Sequence, residues 1–185
     1  MRHERPFESP DAMAAALAGA ISVELAQAIA ARGEASLVLS GGRTPLRMFS
    51  CLSRIDLPWN RVKITLADER LVPASASDSN ERVIRDHLLQ NEAQKAVFIP
   101  LWQGEGDPVE SAIEAVSALK RPLDVVVLGM GEDGHFASLF PGIPDLSLAL
   151  DPASERIAIF VPSTPTRQPR VSLTLAVLLD RKSVV

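Results

Sequence analysis

The stretch LDVVVLGMGEDGHFASLFPG, residues 123–142, decides the fold of this 185-residue chain. Five of its first six residues are apolar and three of them are valines, which predicts a strand buried on both faces of a parallel sheet. Gly129, Gly131 and Gly134 then surround a single histidine, His135. Ligands bind at the carboxyl ends of strands in open α/β sheets, and glycines let the backbone approach a bound group. The sequence therefore predicts an active-site loop with His135 at its mouth.

The same three glycines also match the dinucleotide-binding pattern G-x-G-x-x-G. That pattern opens a long helix and is followed, about 20 residues later, by an acidic residue that binds the ribose. Here Pro141 and Gly142 stop a helix early, and the next predicted strand, residues 157–161, ends in Pro162 and Ser163. We therefore reject a dinucleotide site.

The rest of the chain alternates between predicted helices and strands. Helices are predicted over residues 9–32, 45–54, 79–89 and 108–119, and strands over residues 36–39, 62–66, 97–101, 123–128 and 157–161. This alternation predicts an α/β fold with a doubly wound, mostly parallel sheet flanked by helices. In the first helix an apolar residue recurs every four positions and predicts one packing stripe: Met13, Leu17, Ile21, Leu25 and Ile29. The length and apolar content suit one domain, residues 1–185.

Composition narrows the classes of function. The net charge is −4 and no basic run occurs, which argues against nucleic acid as a partner. A single cysteine, Cys51, excludes an internal disulfide framework, and no pair of histidines or cysteines has the spacing of metal ligands. Charges near the N-terminus, with Glu24 and Gln27 farther on, argue against a signal peptide and a membrane span. We expect a cytoplasmic protein with no bound metal.

A polar turn follows the first predicted strand. Ser40, Gly41, Gly42, Arg43 and Thr44 lie between that strand and the helix that begins near residue 45. Glycines permit close backbone approach, the hydroxyls can donate, and free N–H groups at a helix start attract anions. The segment lacks the Lys-Ser/Thr pair of a nucleotide P-loop. Taken alone, an ordinary turn before a helical proline explains it equally well.

A second polar cluster ends the next strand. Asp68, Glu69 and Arg70 follow residues 62–66, and Asn80 comes ten residues later. Arg70 could clamp a phosphate or an oxyanion with its planar guanidinium, and the acids could orient it or bind sugar hydroxyls. A solvated cluster of surface ion pairs is the other interpretation.

His135 is the candidate general base by elimination. His3 lies near the N-terminus and His87 lies on a predicted helix, where a surface role is more common. A neutral imidazole can take a proton from water near neutral pH, and Asp133 could hold its tautomer. Alternatively, Asp133 only satisfies the amides of a turn. Ser138 follows His135 too closely to be its nucleophile, so water is the expected attacker.

Three blocks taken together resemble the glucosamine-6-phosphate isomerase/6-phosphogluconolactonase family: LSGGRTP at 39–45, DERLVP with DSN within 68–80, and LGMGEDGHFASLFPG at 128–142. The resemblance implies a NagB/RpiA-like fold and hydrolysis of 6-phospho-D-glucono-1,5-lactone to 6-phosphogluconate in the pentose phosphate pathway. It implies that the small phosphosugar lactone is the partner and that neither a metal nor an organic cofactor is required.

The resemblance also assigns roles to residues. It makes His135 the base that activates water, with Asp133 assisting, and places the phosphate on the loop of residues 40–44. Arg70 would neutralise phosphate or developing oxyanion charge, and Arg170 would lie near the phosphate. The predicted substrate site is completed by Asp68, Asn80 and Gly131.

Two other functions stay open at this stage. The sister activity of the family, deamination and isomerisation of glucosamine 6-phosphate, goes with Asn-Glu-Pro after the histidine, where this chain has Leu139, Phe140 and Pro141. An apolar Phe140 cannot orient a histidine, which favours the lactonase. The third function is a sugar-phosphate-binding module without turnover.

Members of the family continue past the RVSLT segment, residues 170–174, into a further strand and helix that contribute a lysine near the phosphate. We therefore expect a C-terminally shortened domain, with that strand and helix missing or another element in their place. We expect a monomer or a weak homo-oligomer.

Overall fold

The computed structural model describes residues 5–184, and side chains up to Arg181. Within this range the strands are β1 (Ala35–Leu39), β2 (Val62–Leu66), β3 (Asp68–Arg70), β4 (Val97–Phe98), β5 (Leu123–Val127), β6 (Ala158–Val161), β7 (Arg170–Leu173) and β8 (Arg181–Val184). The α-helices are α1 (Pro10–Arg32), α2 (Leu46–Leu52), α3 (Asn80–His87), α4 (Pro108–Ser117), α5 (Leu146–Ala149) and α6 (Leu175–Leu179). Short 3-10 turns cover Trp59–Arg61 and Asn91–Lys95.

The strands form two sheets. The larger is parallel and has the order β4-β2-β1-β5-β8, which confirms the predicted α/β fold with a mostly parallel sheet between helices. The smaller sheet, β3-β7-β6, is antiparallel. We expected residues 157–161 to extend the parallel sheet, and this is wrong. The connection from β6 to β7 covers only residues 162–169, too short for the crossover that a parallel pair needs.

The two central strands carry the cleft-forming loops to the same edge of the sheet. Every residue of β1 and β5 is buried, which explains their nearly continuous apolar sequences. In the parallel register Leu39 pairs with Val127, so both strands end at the same level. The Ser40 backbone N–H then donates to the Val127 carbonyl at 3.1 Å. The loop after β1 and residues 128–142, the histidine loop, therefore begin side by side.

Helix α1 has clear signals at both ends. The Ser9 hydroxyl accepts from the Ala12 N–H at 3.1 Å, and Gly33 ends the helix at φ +80°. The predicted apolar stripe is partly wrong, because Met13 is exposed. The buried face is instead Ala14, Ala18, Ile21, Leu25 and Ala28. A spacing of four drifts from the helical period of 3.6, and alanines let the helix approach α2 and the sheet closely.

The same helix is long and apolar enough, by length and composition alone, to cross a membrane. Part of it is buried against the remainder of the fold. The expectation of a chain without a membrane span stays a prediction.

Strand β3 buries two acidic side chains. Asp68 and Glu69 are both less than 5 % exposed, so a solvated surface cluster of ion pairs is wrong. The Glu69 carboxylate accepts from the N–H groups of Asn80 at 2.8 Å and Glu81 at 2.7 Å, and from the Ser79 hydroxyl at 3.2 Å. Glu69 therefore anchors the start of α3, where free N–H groups favour a negative charge.

Candidate active site

A cleft of about 210 Å³ opens where the carboxyl ends of β1 and β5 meet the small sheet. It is lined by Ser40, Gly41, Asp68, Arg70, Asn80, Gly129, Met130, Gly131, His135, Ala137 and Arg170. The structure thus brings together most of the residues that the sequence predicts for the substrate site. The lining also includes three residues that were not predicted for the site: Gly129, Met130 and Ala137. They line the cleft because of the way the histidine loop packs.

His135 pairs with Asp133 at the rim of the cleft. The Nδ1 atom of the imidazole is hydrogen bonded to the Asp133 Oδ1 atom, and the His135 backbone N–H donates to the same oxygen at 3.3 Å. The hydrogen bond from the imidazole lowers the pKa of Asp133 below its ordinary value. Because an ionised carboxylate only accepts, Nδ1 carries the proton and Nε2 is the basic nitrogen of the neutral ring.

Gly131 makes room for this pair. A Cβ atom at this position would lie 2.3 Å from the His135 Cε1 atom and 2.9 Å from the Asp133 Oδ1 atom. The Gly131 N–H also donates to the His135 carbonyl at 2.8 Å, and Gly134 turns the loop at φ +83°. The glycines therefore hold His135 and Asp133 together as a tight turn and do not open a helix.

Two arginines face the cleft from neighbouring strands. Arg70 on β3 and Arg170 on β7 are direct partners in the antiparallel register. Like charges placed opposite each other destabilise a sheet. Burial, and after it the charge of Arg70, lowers the pKa of Arg170. The Nε atoms of both arginines are buried without a hydrogen-bond partner among the described residues. This arrangement suits a bound anion that accepts from both guanidiniums.

Another part of the cleft lining carries uncharged polar groups, from Ser40, Gly41 and Asn80. The Ser40 Oγ and Asn80 Oδ1 atoms are buried, and neither has a hydrogen-bond partner in the described part of the chain. The Asn80 amide nitrogen donates to the Asp68 carbonyl at 2.9 Å. A Cβ on Gly41 would lie 2.1 Å from the Asn80 Oδ1 atom, so the backbone of the glycine turn contacts this amide directly. The Ser40 hydroxyl can therefore donate to a phosphate oxygen or bond a sugar hydroxyl, and the Asn80 Oδ1 atom can accept from a sugar hydroxyl.

Ser138 connects the histidine loop to Asp68 on β3 and to Arg170 on β7. Its fully buried hydroxyl donates to the Asp68 Oδ2 atom at 2.5 Å and accepts from the Arg170 Nη1 atom at 3.3 Å. Arg170 also lies 3.7 Å from the same Asp68 oxygen. Sequence reasoning considered Ser138 only as a nucleophile and missed this role, because its partners lie 70 and 32 residues away.

Three predicted phosphate-binding residues lie outside the lining of the cleft. The side chains of Arg43 and Thr44 are exposed, and Gly42 turns the chain at φ +93°. Helix α2 begins at Leu46 and has no side-chain cap, so Thr44 does not serve as one. The role of Gly42, Arg43 and Thr44 in phosphate binding stays a prediction. Among the described residues, no group of three or more His, Cys, Asp or Glu side chains forms a candidate metal site.

The fold and the cleft define a class of α/β protein in which a histidine–aspartate pair stands beside two arginines at the carboxyl edge of a parallel sheet. A family model described as glucosamine-6-phosphate isomerases/6-phosphogluconolactonase matches residues 8–185, and the chain belongs to this family. Its α/β fold is the NagB/RpiA-like fold of that family.

Related proteins of known name lie within the lactonase part of the family. A 6-phosphogluconolactonase from Mesorhizobium japonicum is 47% identical over 177 residues, which cover 94% of this chain and 74% of the relative. One from Pseudomonas aeruginosa is 46% identical over 90% of this chain and 71% of the relative. The crystal structure of a 6-phosphogluconolactonase from Shewanella baltica superposes with a TM-score of 0.89 at 42% identity, and covers 96% of this chain and 77% of its own.

Proposed function

We propose that the chain hydrolyses 6-phospho-D-glucono-1,5-lactone to 6-phosphogluconate, in the cytoplasm and as a step of the oxidative pentose phosphate pathway. The observation that carries this proposal is the pairing of His135 with Asp133 at the rim of a cleft that Arg70 and Arg170 line. The names of the related proteins support the same activity.

In this mechanism His135 acts as a general base. Its Nε2 atom takes a proton from water while the water oxygen attacks the lactone carbonyl carbon. The tetrahedral oxyanion collapses, the bond from that carbon to the ring oxygen breaks, and the imidazolium returns the proton to the departing ring oxygen. Water is thereby divided between the new carboxyl group and the new hydroxyl. General base catalysis of this kind contributes about 10²- to 10⁴-fold in rate.

The remaining residues hold the substrate. Backbone amides and hydroxyls of residues 40–44 bind the phosphate, and the Asn80 Oδ1 atom accepts from a sugar hydroxyl. Arg70 and Arg170 neutralise phosphate or oxyanion charge, and Asp68 keeps Arg170 in place through Ser138. Gly131, which has no side chain, leaves room for the His135–Asp133 pair in the lining of the cleft. A lactone is already an activated ester, so this mechanism needs no metal or organic cofactor.

The test of this proposal is the rate at which freshly prepared lactone is hydrolysed. 6-Phosphogluconate formation, followed by its coupled oxidation, should proceed faster with the protein than the spontaneous hydrolysis measured without it. A rate equal to the spontaneous background would contradict the proposal. Ammonia release from glucosamine 6-phosphate would instead support the sister activity, and tight binding of 6-phosphogluconate without hydrolysis would support a binding module.

The structure favours the lactonase over the sister activity at one position. The ring of Phe140 packs against His135, with 4.3 Å between the ring centroids. An apolar ring therefore occupies the position at which the sister activity needs a glutamate to orient the histidine. In this chain Asp133, which precedes His135 in the sequence, orients the imidazole.

A further inference from the structure

A third arginine, Arg167, lies beside the cleft on the loop between β6 and β7. The loop folds back on itself, because the Thr164 N–H donates to the Arg167 carbonyl at 2.8 Å and the Arg167 N–H donates to the Thr164 carbonyl at 3.3 Å. The Gln168 amide also donates to the Asp78 carboxylate at 3.0 Å, across from the start of α3. Arg167 is therefore held by a structured loop.

Phe140 links Arg167 to the proposed base. The Arg167 Cζ atom lies 4.3 Å from the centroid of the Phe140 ring, and the His135 ring centroid is also 4.3 Å from it. The ring of Phe140 thus contacts both the guanidinium of Arg167 and the imidazole of His135. A cation over an aromatic ring is attracted by the negative face of the ring, so Phe140 fixes the position of this charge.

The surroundings of Arg167 favour an anion. Arg170 approaches the same ring, with its Cζ atom 5.2 Å from the centroid, and the charge of Arg167 helps to lower the pKa of Arg170. The Arg167 Nε atom is buried without a hydrogen-bond partner within residues 5–184, and no described carboxylate forms an ion pair with this arginine. Two cations on one ring with a free donor make a position that an anionic oxygen would stabilise.

We propose that Arg167 binds the charged oxygens at the carbonyl end of the ligand, first the oxyanion of the tetrahedral intermediate and then the carboxylate of the product. The inference rests on the proposed function, in which water held by His135 attacks that carbonyl carbon. Because Arg167 and His135 both contact the ring of Phe140, Arg167 serves this end of the ligand. The glycine turn after β1 serves the phosphate end.

Two ligands that differ only at the first carbon distinguish binding at the carbonyl end from binding at the phosphate end. 6-Phosphogluconate carries a carboxylate there, and glucitol 6-phosphate carries an uncharged hydroxymethyl group. Titration calorimetry of Arg167→Gln should give a Kd for 6-phosphogluconate about 10-fold or more above that of the wild-type chain, as expected for a lost charge-assisted hydrogen bond. The Kd for glucitol 6-phosphate should change by less than about twofold.

Arg85→Gln is the matched control. Arg85 also lies over a phenyl ring, with its Cζ atom 5.0 Å from the centroid of Phe98, but Phe98 lies on β4, whereas the ring under Arg167 contacts His135. This variant should bind both ligands like the wild-type chain. Arg167→Lys, measured in the same way, keeps the charge and the ring contact but loses the planar fork, and should fall between wild type and Arg167→Gln.

The inference would be overturned if Arg167→Gln weakened the binding of both ligands equally or of neither ligand. It would also be overturned if the wild-type chain bound neither ligand. A wild-type chain that binds 6-phosphogluconate but hydrolyses no lactone would contradict the proposed function alone. In that case the difference between the two ligands still tests Arg167.

Discussion

Gly131 and His135 share a space that a larger side chain cannot enter. In Gly131→Ala the new Cβ would lie 2.3 Å from the imidazole, so the ring has to move away from its present position. Because a misplacement of about 1 Å can cost about 10²-fold in rate, we expect kcat to fall by that order. Steady-state kinetics with fresh lactone measures the change.

Gly19→Ala is the control for this variant, since a Cβ at that position meets nothing within 4 Å. It should keep the wild-type kcat. A Gly131→Ala variant with unchanged kcat would contradict the close packing of residue 131 against the base.

Asp133 keeps the imidazole in the tautomer that the mechanism needs. Its pKa is lowered by the hydrogen bond from His135, so the carboxylate stays ionised to a lower pH than an ordinary aspartate. Its contribution to holding the ring is present above the ordinary pKa of aspartate and is lost as the pH falls through the lowered value.

Asp133→Asn removes this charge, and its amide can turn a donor toward Nδ1. We expect kcat to fall roughly 10- to 100-fold, less than for a buried triad aspartate because Asp133 is exposed. Glu132→Gln, at the exposed neighbouring position, should retain wild-type kcat. Equal kcat values for the two variants would identify Asp133 as a turn residue only.

Residue types and spacing were enough to predict much of this site. Among the predictions, His135, Arg70 and Arg170 do lie in one cleft, because the carboxyl ends of neighbouring strands meet at one edge. The sequence could not indicate that Ala137 has a φ of +49° or that Ser138 joins Asp68 to Arg170. Both features depend on how distant segments pack, and neither leaves a local sequence pattern.

Two neighbouring residues of strand β3, Asp68 and Glu69, have different roles. Asp68 belongs to the cleft, whereas Glu69 points to α3 and anchors its first N–H groups. Burial raises the pKa of Glu69, although hydrogen bonds from the backbone of Asn80, Glu81 and Arg70 oppose this. The folded chain therefore holds the Glu69 proton more tightly than the unfolded chain does.

This difference predicts a pH dependence of stability. The contribution of Glu69 is fully present below the ordinary pKa of glutamate, about 4.3, and is lost as the pH rises through the raised pKa. In Glu69→Gln that part of the slope should vanish. Urea unfolding at several values from about pH 4 to about pH 8 measures the free energy of unfolding in both chains.

Glu105→Gln, at an exposed position, should keep the wild-type slope. Identical slopes for Glu69→Gln and the wild-type chain would contradict the raised pKa of Glu69.

The element boundaries show which patterns carry structural information. Buried parallel strands such as β1 and β5 are predicted well because both faces require apolar residues. Strand β7, with the sequence RVSL, was not predicted as a strand, since it is short and starts with the cleft residue Arg170. Without β7 as its neighbour, β6 could not be assigned to a second sheet.

At the scale of the whole molecule, the cleft concentrates positive charge in a chain whose net charge is −4. An anionic ligand that binds only the folded chain should therefore raise its stability. At a 6-phosphogluconate concentration of about 100 times Kd the gain is about 2.7 kcal/mol, which corresponds to a rise in Tm of about 5–10 °C. Differential scanning calorimetry measures the shift.

Glucitol, which carries no phosphate or carboxylate, should leave Tm unchanged at the same concentration. A 6-phosphogluconate titration that leaves Tm unchanged up to millimolar concentrations would contradict binding in this cleft.

The fold places the imidazole of His135, the carboxylates of Asp68 and Asp133, and the guanidiniums of Arg70 and Arg170 around one cleft. The central claim is that His135 activates water there. The most direct test compares kcat for fresh 6-phospho-D-glucono-1,5-lactone between the wild-type chain and His135→Asn, each corrected for spontaneous hydrolysis. We predict that kcat falls about 10²- to 10⁴-fold while the Kd for 6-phosphogluconate changes little. A His135→Asn variant that hydrolyses the lactone at the wild-type rate would contradict the account.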